Sequence, residues 1–182
     1  MSLADLDQGT QNLLEGDFGE HWVHVTAAGC GILHGRPHTL DVIKGDLLLT
    51  SRGNDWWENS VLVQVKTTVD LRPHGPDEWA YYDLDIATYD VLRTSKRRIL
   101  AVIGLSPNGD PIQVGQGGTT LLGHTTWASL EGMPASKNAT KQVVHLPRSN
   151  RLDLDGYQRM LANYGVPRSS PVPEINQWGE SA

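Results

Sequence analysis

Gln64 and Lys66 stand two residues apart in the stretch VLVQVKTT, residues 61–68. In an extended strand alternate side chains share a face. Val61, Val63, Val65 and Thr67 therefore fall on one side, and Leu62, Gln64, Lys66 and Thr68 on the other. The valine side reads as core, and the Gln/Lys side as solvated surface or the wall of an active site. Hydrolysis of a phosphodiester needs a divalent cation, an activated water and positive charge near the transition state. A hard cation such as Mg2+ or Mn2+ takes oxygen ligands and keeps several waters. Asp46 offers a carboxylate, Gln64 an amide oxygen and Val65 a main-chain carbonyl. Glu20 would hold a metal-bound water from a neighbouring helix, and Lys66 would orient the attacking water. The period-two spacing keeps Gln64 and Lys66 on one face; any odd spacing would split them across the sheet.

The elements that must position these groups can be read from periodicity. Leu14, Phe18, Trp22 and Val25 form an apolar stripe that predicts a helix over 10–28, ended by Gly29 or Gly31. Gly16 and Gly19 weaken that helix and move its expected start towards Asp17. A strand is expected near Ile32, a second over 45–51 and a third over 61–68. The loop 52–60 makes a hairpin of the last two. Pro and Gly break 70–79 into a loop. A helix is expected over 84–95 with Ile86, Tyr89 and Leu92 inward, then a buried strand over 98–106 and a turn at 107–110. Short strands or irregular structure follow over 111–132, a strand over 141–147 and a closing helix over 154–165 stopped by Gly165. The order α-β-β-β-α-β, with extra strands and a C-terminal helix, is that of a mixed α/β or α+β domain. It spans residues 1–165, and the Pro/Ser-rich 166–182 reads as a mobile or partner-docked tail.

The chain has 182 residues, a net charge of −6 and one cysteine, Cys30. One cysteine allows neither a disulfide framework nor a Cys-based zinc motif. No apolar run reaches the ~20 residues that cross a membrane, and the first ten residues lack the features of a signal peptide. A cytoplasmic setting is the expectation. The negative charge argues against holding nucleic acid by bulk electrostatics, but not against an enzyme that meets a phosphodiester through a carboxylate-held metal.

A helix Glu (Glu20), Gly45-Asp46 opening a strand and Gln64-Val65-Lys66 on the next strand resemble the PD-(D/E)XK, or restriction-endonuclease-like, nucleases. The Gln-x-Lys form resembles their Mrr-like branch. More narrowly, QVKTT, YDVLRTSKRRILAVIGL and TTWASLEGMPASKNATKQVVHLP are similar to the bacterial domain of unknown function 4365, whose Trp-x-Ser-Leu-x-Gly-x-Pro stretch matches Trp127–Pro134. The likeness covers roughly residues 12–163 and is carried by the order of the motifs more than by any one. It implies a central mixed sheet flanked by helices and metal-dependent nucleolytic cleavage in phage-defence or mobile-element contexts. The family's acidic pair reads D-x-G-x-D, whereas this chain has DVIKGD; the metal role is carried to Asp46, with Asp41 as substitute acid.

Each residue also has a plainer reading. Lys66 alone suits an edge-protecting surface lysine. Glu20 fits a capping box opened by Asp17, and Asp46 after Gly45 suits a turn. His21 with His24, and His34 with His38, are without a Cys set or a His-Glu-x-x-His motif, so they read as surface or hydrogen-bonded histidines. Trp56 and Trp57 would stack on bases or pack against protein. Arg93, Lys96, Arg97 and Arg98, the dense basic cluster, suit phosphate contacts or a solvated helix end. The expected function is an Mg2+- or Mn2+-dependent DNA endonuclease, aided by homodimerisation or a targeting partner. The rivals are a non-catalytic nuclease-fold subunit and a ribonuclease.

Overall fold

The computed structural model describes residues 7–36, 45–51, 59–69, 71–74, 79–105 and 111–165, with the side chains of 72–74 excepted. Asp41, Trp56, Trp57, the 107–110 turn and the tail from 166 lie outside them.

Helix α1 spans Gln8–Gly29 and is capped by Asp7, whose carboxylate accepts from the Thr10 amide. It therefore starts about ten residues before Asp17. The apolar stripe is also rotated from the expected one: Leu14 is 41% and Val25 60% exposed, while Glu15, Gly19, Trp22, Val23 and Ala27 are buried. Gly19 lets the helix come close to Thr67 and Val65 of the sheet, and this contact brings Val23 and Ala27 inward with Trp22.

Strands β1 (Leu33–Gly35), β2 (Leu47–Thr50) and β3 (Ser60–Thr68) follow. β4 (Arg72–His74) and β5 (Trp79–Asp85) occupy the stretch expected to be a loop and a helix start. The aromatic and apolar residues of β5 alternate, with Ala80 and Leu84 buried. Of the Pro/Gly signals that spoke against strand here, Pro73 lies within β4 itself, and Gly75 and Pro76 lie outside the described residues. Helix α2 (Ile86–Thr94) begins where Asp85 caps the Thr88 amide. Next come β6 (Arg98–Gly104), β7 (Ile112–Gly115), β8 (Gly118–Leu121), β9 (His124–Ala128), β10 (Lys141–Pro147) and helix α3 (Leu154–Tyr164), which Gly165 ends.

Five strands form a mixed sheet in the order β1-β2-β3-β6-β9, with β3 and β6 parallel and the other neighbours antiparallel. A second sheet has the order β10-β5-β4, and β7 and β8 form a separate exposed hairpin. After Arg98, strand β6 is apolar and buried from Ile99 to Gly104 because both faces are covered. One face meets α1 and α3 through Val23, Leu47, Val63, Ile99, Ile103 and Met160. The other meets α2 and the β5/β10 pair through Leu84, Leu92, Leu100, Val102 and Leu146. The chain is thus a mixed α/β domain whose central sheet is flanked by helices. Among the described residues, no helix is long and apolar enough to cross a membrane.

The Trp127–Pro134 stretch serves this packing. Trp127 and Leu130 are buried, Gly132 takes φ +81° while its amide donates to the Arg93 carbonyl at 2.9 Å, and Tyr89 donates to the Pro134 carbonyl at 2.9 Å. It locks β9 onto α2.

Candidate functional site

The ladder between β2 and β3 ends, among the described residues, at Leu47 opposite Val63, whereas β3 continues beside β6 to Thr68. Residues 64–68 of β3 thus leave β2 behind. Backbone amides at such a point still need acceptors. Asp46 supplies one: its Oδ2 accepts from the Val65 amide at 2.6 Å and from Gln64 Nε2 at 2.7 Å, while its own amide donates to the Val63 carbonyl at 2.9 Å. The carboxylate is fixed where the strands part. Its aspartate is no mere turn residue.

Gln64 is 6% exposed. Its Nε2 also reaches the Val65 carbonyl at 3.4 Å, so the amide NH2 lies between Asp46 Oδ2 and Val65 O. Its Oε1 is buried without a hydrogen-bond partner. Leaving a buried acceptor unmet costs about 1–3 kcal/mol. Turning the Gln64 amide over would bring Oε1 to where Nε2 now sits and, with the Asp46 carboxylate and the Val65 carbonyl, give an all-oxygen set, the chemistry of a hard divalent cation. The residues fit such an ion, with the Gln64 amide nitrogen now filling the electropositive role between two oxygens.

Glu20 reaches this end of the sheet from α1. It makes an ion pair with Arg36 at 3.0 Å. Burial, and then the nearby negative charge of Asp46, push its carboxyl above the ordinary value. The capping-box reading of Glu20 is overturned, since Asp7 caps the helix thirteen residues earlier. Arg36 was not foreseen. A partial signal was available: Glu20 and His24 are four apart on a helix and so share a face, and Arg36 follows β1 directly, two residues after His34.

Because ionisation of Glu20 is disfavoured in the folded chain, its charge destabilises the fold once pH exceeds the unfolded value, and the cost is complete above the raised folded value. Glu20→Gln is therefore expected to raise the melting temperature near neutral pH by an amount worth under about 1 kcal/mol. The gain should vanish below the ordinary value of 4.5. Melting curves of both proteins on either side of that pH check it; an equal gain at both would deny the electrostatic cause.

Lys66 lies on the Gln64 face, opposite Val102 of β6, and none of the ion pairs among the described residues involves it. The basic cluster is not gathered at this site. Arg98 stands opposite Leu62, four residues of β3 away from Lys66, or about 13 Å along a strand. Arg93 is bound to Asp90 at 2.6 Å, Arg97 turns the chain at φ +57°, and Arg98 Nη1 is buried without a partner. Lys96 is exposed at the same turn. Among the described residues no three His, Cys, Asp or Glu side chains converge as a metal cluster; the oxygen set found here mixes one carboxylate with an amide and a carbonyl.

In comparisons with known proteins, no family model, no curated protein and no solved structure matches the chain.

Proposed function

We propose that this chain is a metal-dependent endonuclease with a restriction-endonuclease-like core, hydrolysing DNA phosphodiester bonds at the point where β2 and β3 part. The observation that carries the reading is the Asp46 carboxylate, fixed by the Val65 amide and Gln64 beside a buried, unmet amide oxygen. Asp46, Gln64 and the Val65 carbonyl would hold Mg2+ or Mn2+, with Glu20 supporting a water of its shell. When bound, the ion supplies a polarised phosphoryl oxygen and a more acidic water. The chain's own residues do the rest. The Val65 amide holds Asp46 in one rotamer, so the carboxylate needs no reorganisation. Lys66 brings a positive charge on the same face as Gln64, suited to orienting a water and offsetting charge that develops on the phosphate. Arg36, paired with Glu20, offsets part of the negative charge that the site presents.

With a net charge of −6, the chain would hold DNA weakly by itself. A second copy or a partner protein would supply grip and targeting. The test is conversion of supercoiled plasmid to nicked and linear forms with Mg2+ or Mn2+, beside an EDTA control and a matched RNA substrate. Metal-dependent nicking is the expected result. Cleavage of RNA alone would change the substrate. Stable complexes with no turnover on either polymer would overturn the enzyme and favour a nuclease-fold binding subunit.

A further inference from the structure

Where α1 meets the edge strand β1, a second set of ligating side chains comes together. His24 of α1 and His34 of β1 bring their Nδ1 atoms to 2.7 Å, with rings edge to face and centroids 4.6 Å apart. Two imidazole nitrogens at that distance share one proton, one as N–H donor and the other as lone-pair acceptor. A metal bound to both at about 2.0–2.1 Å with a tetrahedral angle would separate them to about 3.3 Å, an opening of roughly 0.6 Å shared between two side chains. The elements that carry them are already tied together one turn along by Glu20 and Arg36. His21, by contrast, points its Nδ1 at the Asp17 carbonyl of its own helix at 2.8 Å and its ring lies 6.2 Å from that of His24.

We propose that His24 and His34 form a two-imidazole site for a borderline divalent transition cation such as Zn2+, separate from the oxygen site at Asp46. The cation takes the place of the shared proton. That proton moves to Nε2 of the same ring, so both Nδ1 lone pairs face the metal and no net proton is lost from the neutral pair. Imidazole nitrogen suits Zn2+, Ni2+ and Cu2+ and is a poor match for Mg2+. With two protein ligands, the remaining positions fall to water. The bond would clamp the three-residue edge strand β1 to α1, and with it the Arg36–Glu20 contact. Burial, and then the facing His34, hold the His24 imidazole below its ordinary value.

The test is thermal melting of the full chain with ZnCl2, with MgCl2 and with EDTA, in the wild type, His24→Ala, His34→Ala, His21→Ala and Asp46→Asn. A melting temperature raised by Zn2+, reversed by EDTA, lost in His24→Ala and His34→Ala, and kept in His21→Ala and Asp46→Asn is the expected pattern, whereas any rise with Mg2+ belongs to the oxygen site and is unchanged in the histidine variants. No rise with Zn2+ in the wild type overturns the site, as does a Zn2+ rise that survives in His24→Ala or His34→Ala. Loss in all three histidine variants overturns the two-ligand assignment. Because DNA cleavage is not the readout, the result is independent of the proposed nuclease activity.

Discussion

Asp46→Asn is expected to lower plasmid nicking by ~10²–10³-fold while leaving the melting transition within about 1 kcal/mol of the wild type. Asparagine keeps an oxygen that can accept from the Val65 amide and from Gln64 Nε2, so the end of the β2–β3 ladder stays closed. What it removes is the negative charge that a divalent cation needs. Asp46→Ala loses both, and strands two buried donors at a cost of about 1–3 kcal/mol. The pair of variants separates the two tasks of one carboxylate. Full activity in Asp46→Asn would reduce the residue to a strand cap and end the nuclease proposal. Lys66→Met completes the set: no ion pair among the described residues depends on Lys66, so its stability should lie within about 0.5 kcal/mol of the wild type while nicking is lost. A stable, fully active Lys66→Met would place the positive charge elsewhere.

Gly19→Ala is expected to be the most damaging small substitution in α1. A Cβ at that position would overlap Thr67 Oγ1 and come within 3.2 Å of Thr67 Cβ and 3.4 Å of Val65 Cγ1. Thr67 is β-branched and its backbone is held on β6, so turning Oγ1 away still leaves its Cβ crowded against the new methyl. Such overpacking costs about 1–3 kcal/mol, or several degrees of melting temperature in a domain of this size. The helix must lift from β3, and Glu20 is the next residue, so nicking should fall with stability. Gly19→Ala combined with Thr67→Ala removes the overlapping oxygen and should recover most of the loss, a coupling that a double-mutant cycle measures. Gly16→Ala is the internal contrast. Nothing lies within 4 Å of its added Cβ, so better helix propensity should stabilise by about 0.5–1 kcal/mol. If the two glycines responded alike, close approach of α1 to β3 would not be what holds Gly19.

Periodicity made much of the framework legible. Alternation in 61–68 gave β3 with its valines buried, an unbroken apolar run gave β6, and Gly165 gave the end of α3. It failed where a local signal was outweighed by packing. Leu14 and Val25 drew the helix stripe to the wrong face, because hydrophobicity reports what can be buried and not which face fits closest to a sheet. Strand β5 was hidden by the Pro and Gly residues before it, since it is stabilised by its partner β10, some sixty residues away in sequence.

The candidate site divides in the same way. By itself the sequence determined that Gln64 and Lys66 share a face, because strand geometry has period two, and that a carboxylate opens the preceding strand. Only the tertiary structure decided that β3 outruns β2, and that Asp46 turns its carboxylate onto the freed Val65 amide. It likewise decided that Glu20 is held by Arg36, that the basic turn lies a strand's length from Lys66, and that His24 meets His34. These are contacts between elements, set by where ladders end and how closely a helix can approach, and no periodicity within one segment encodes them.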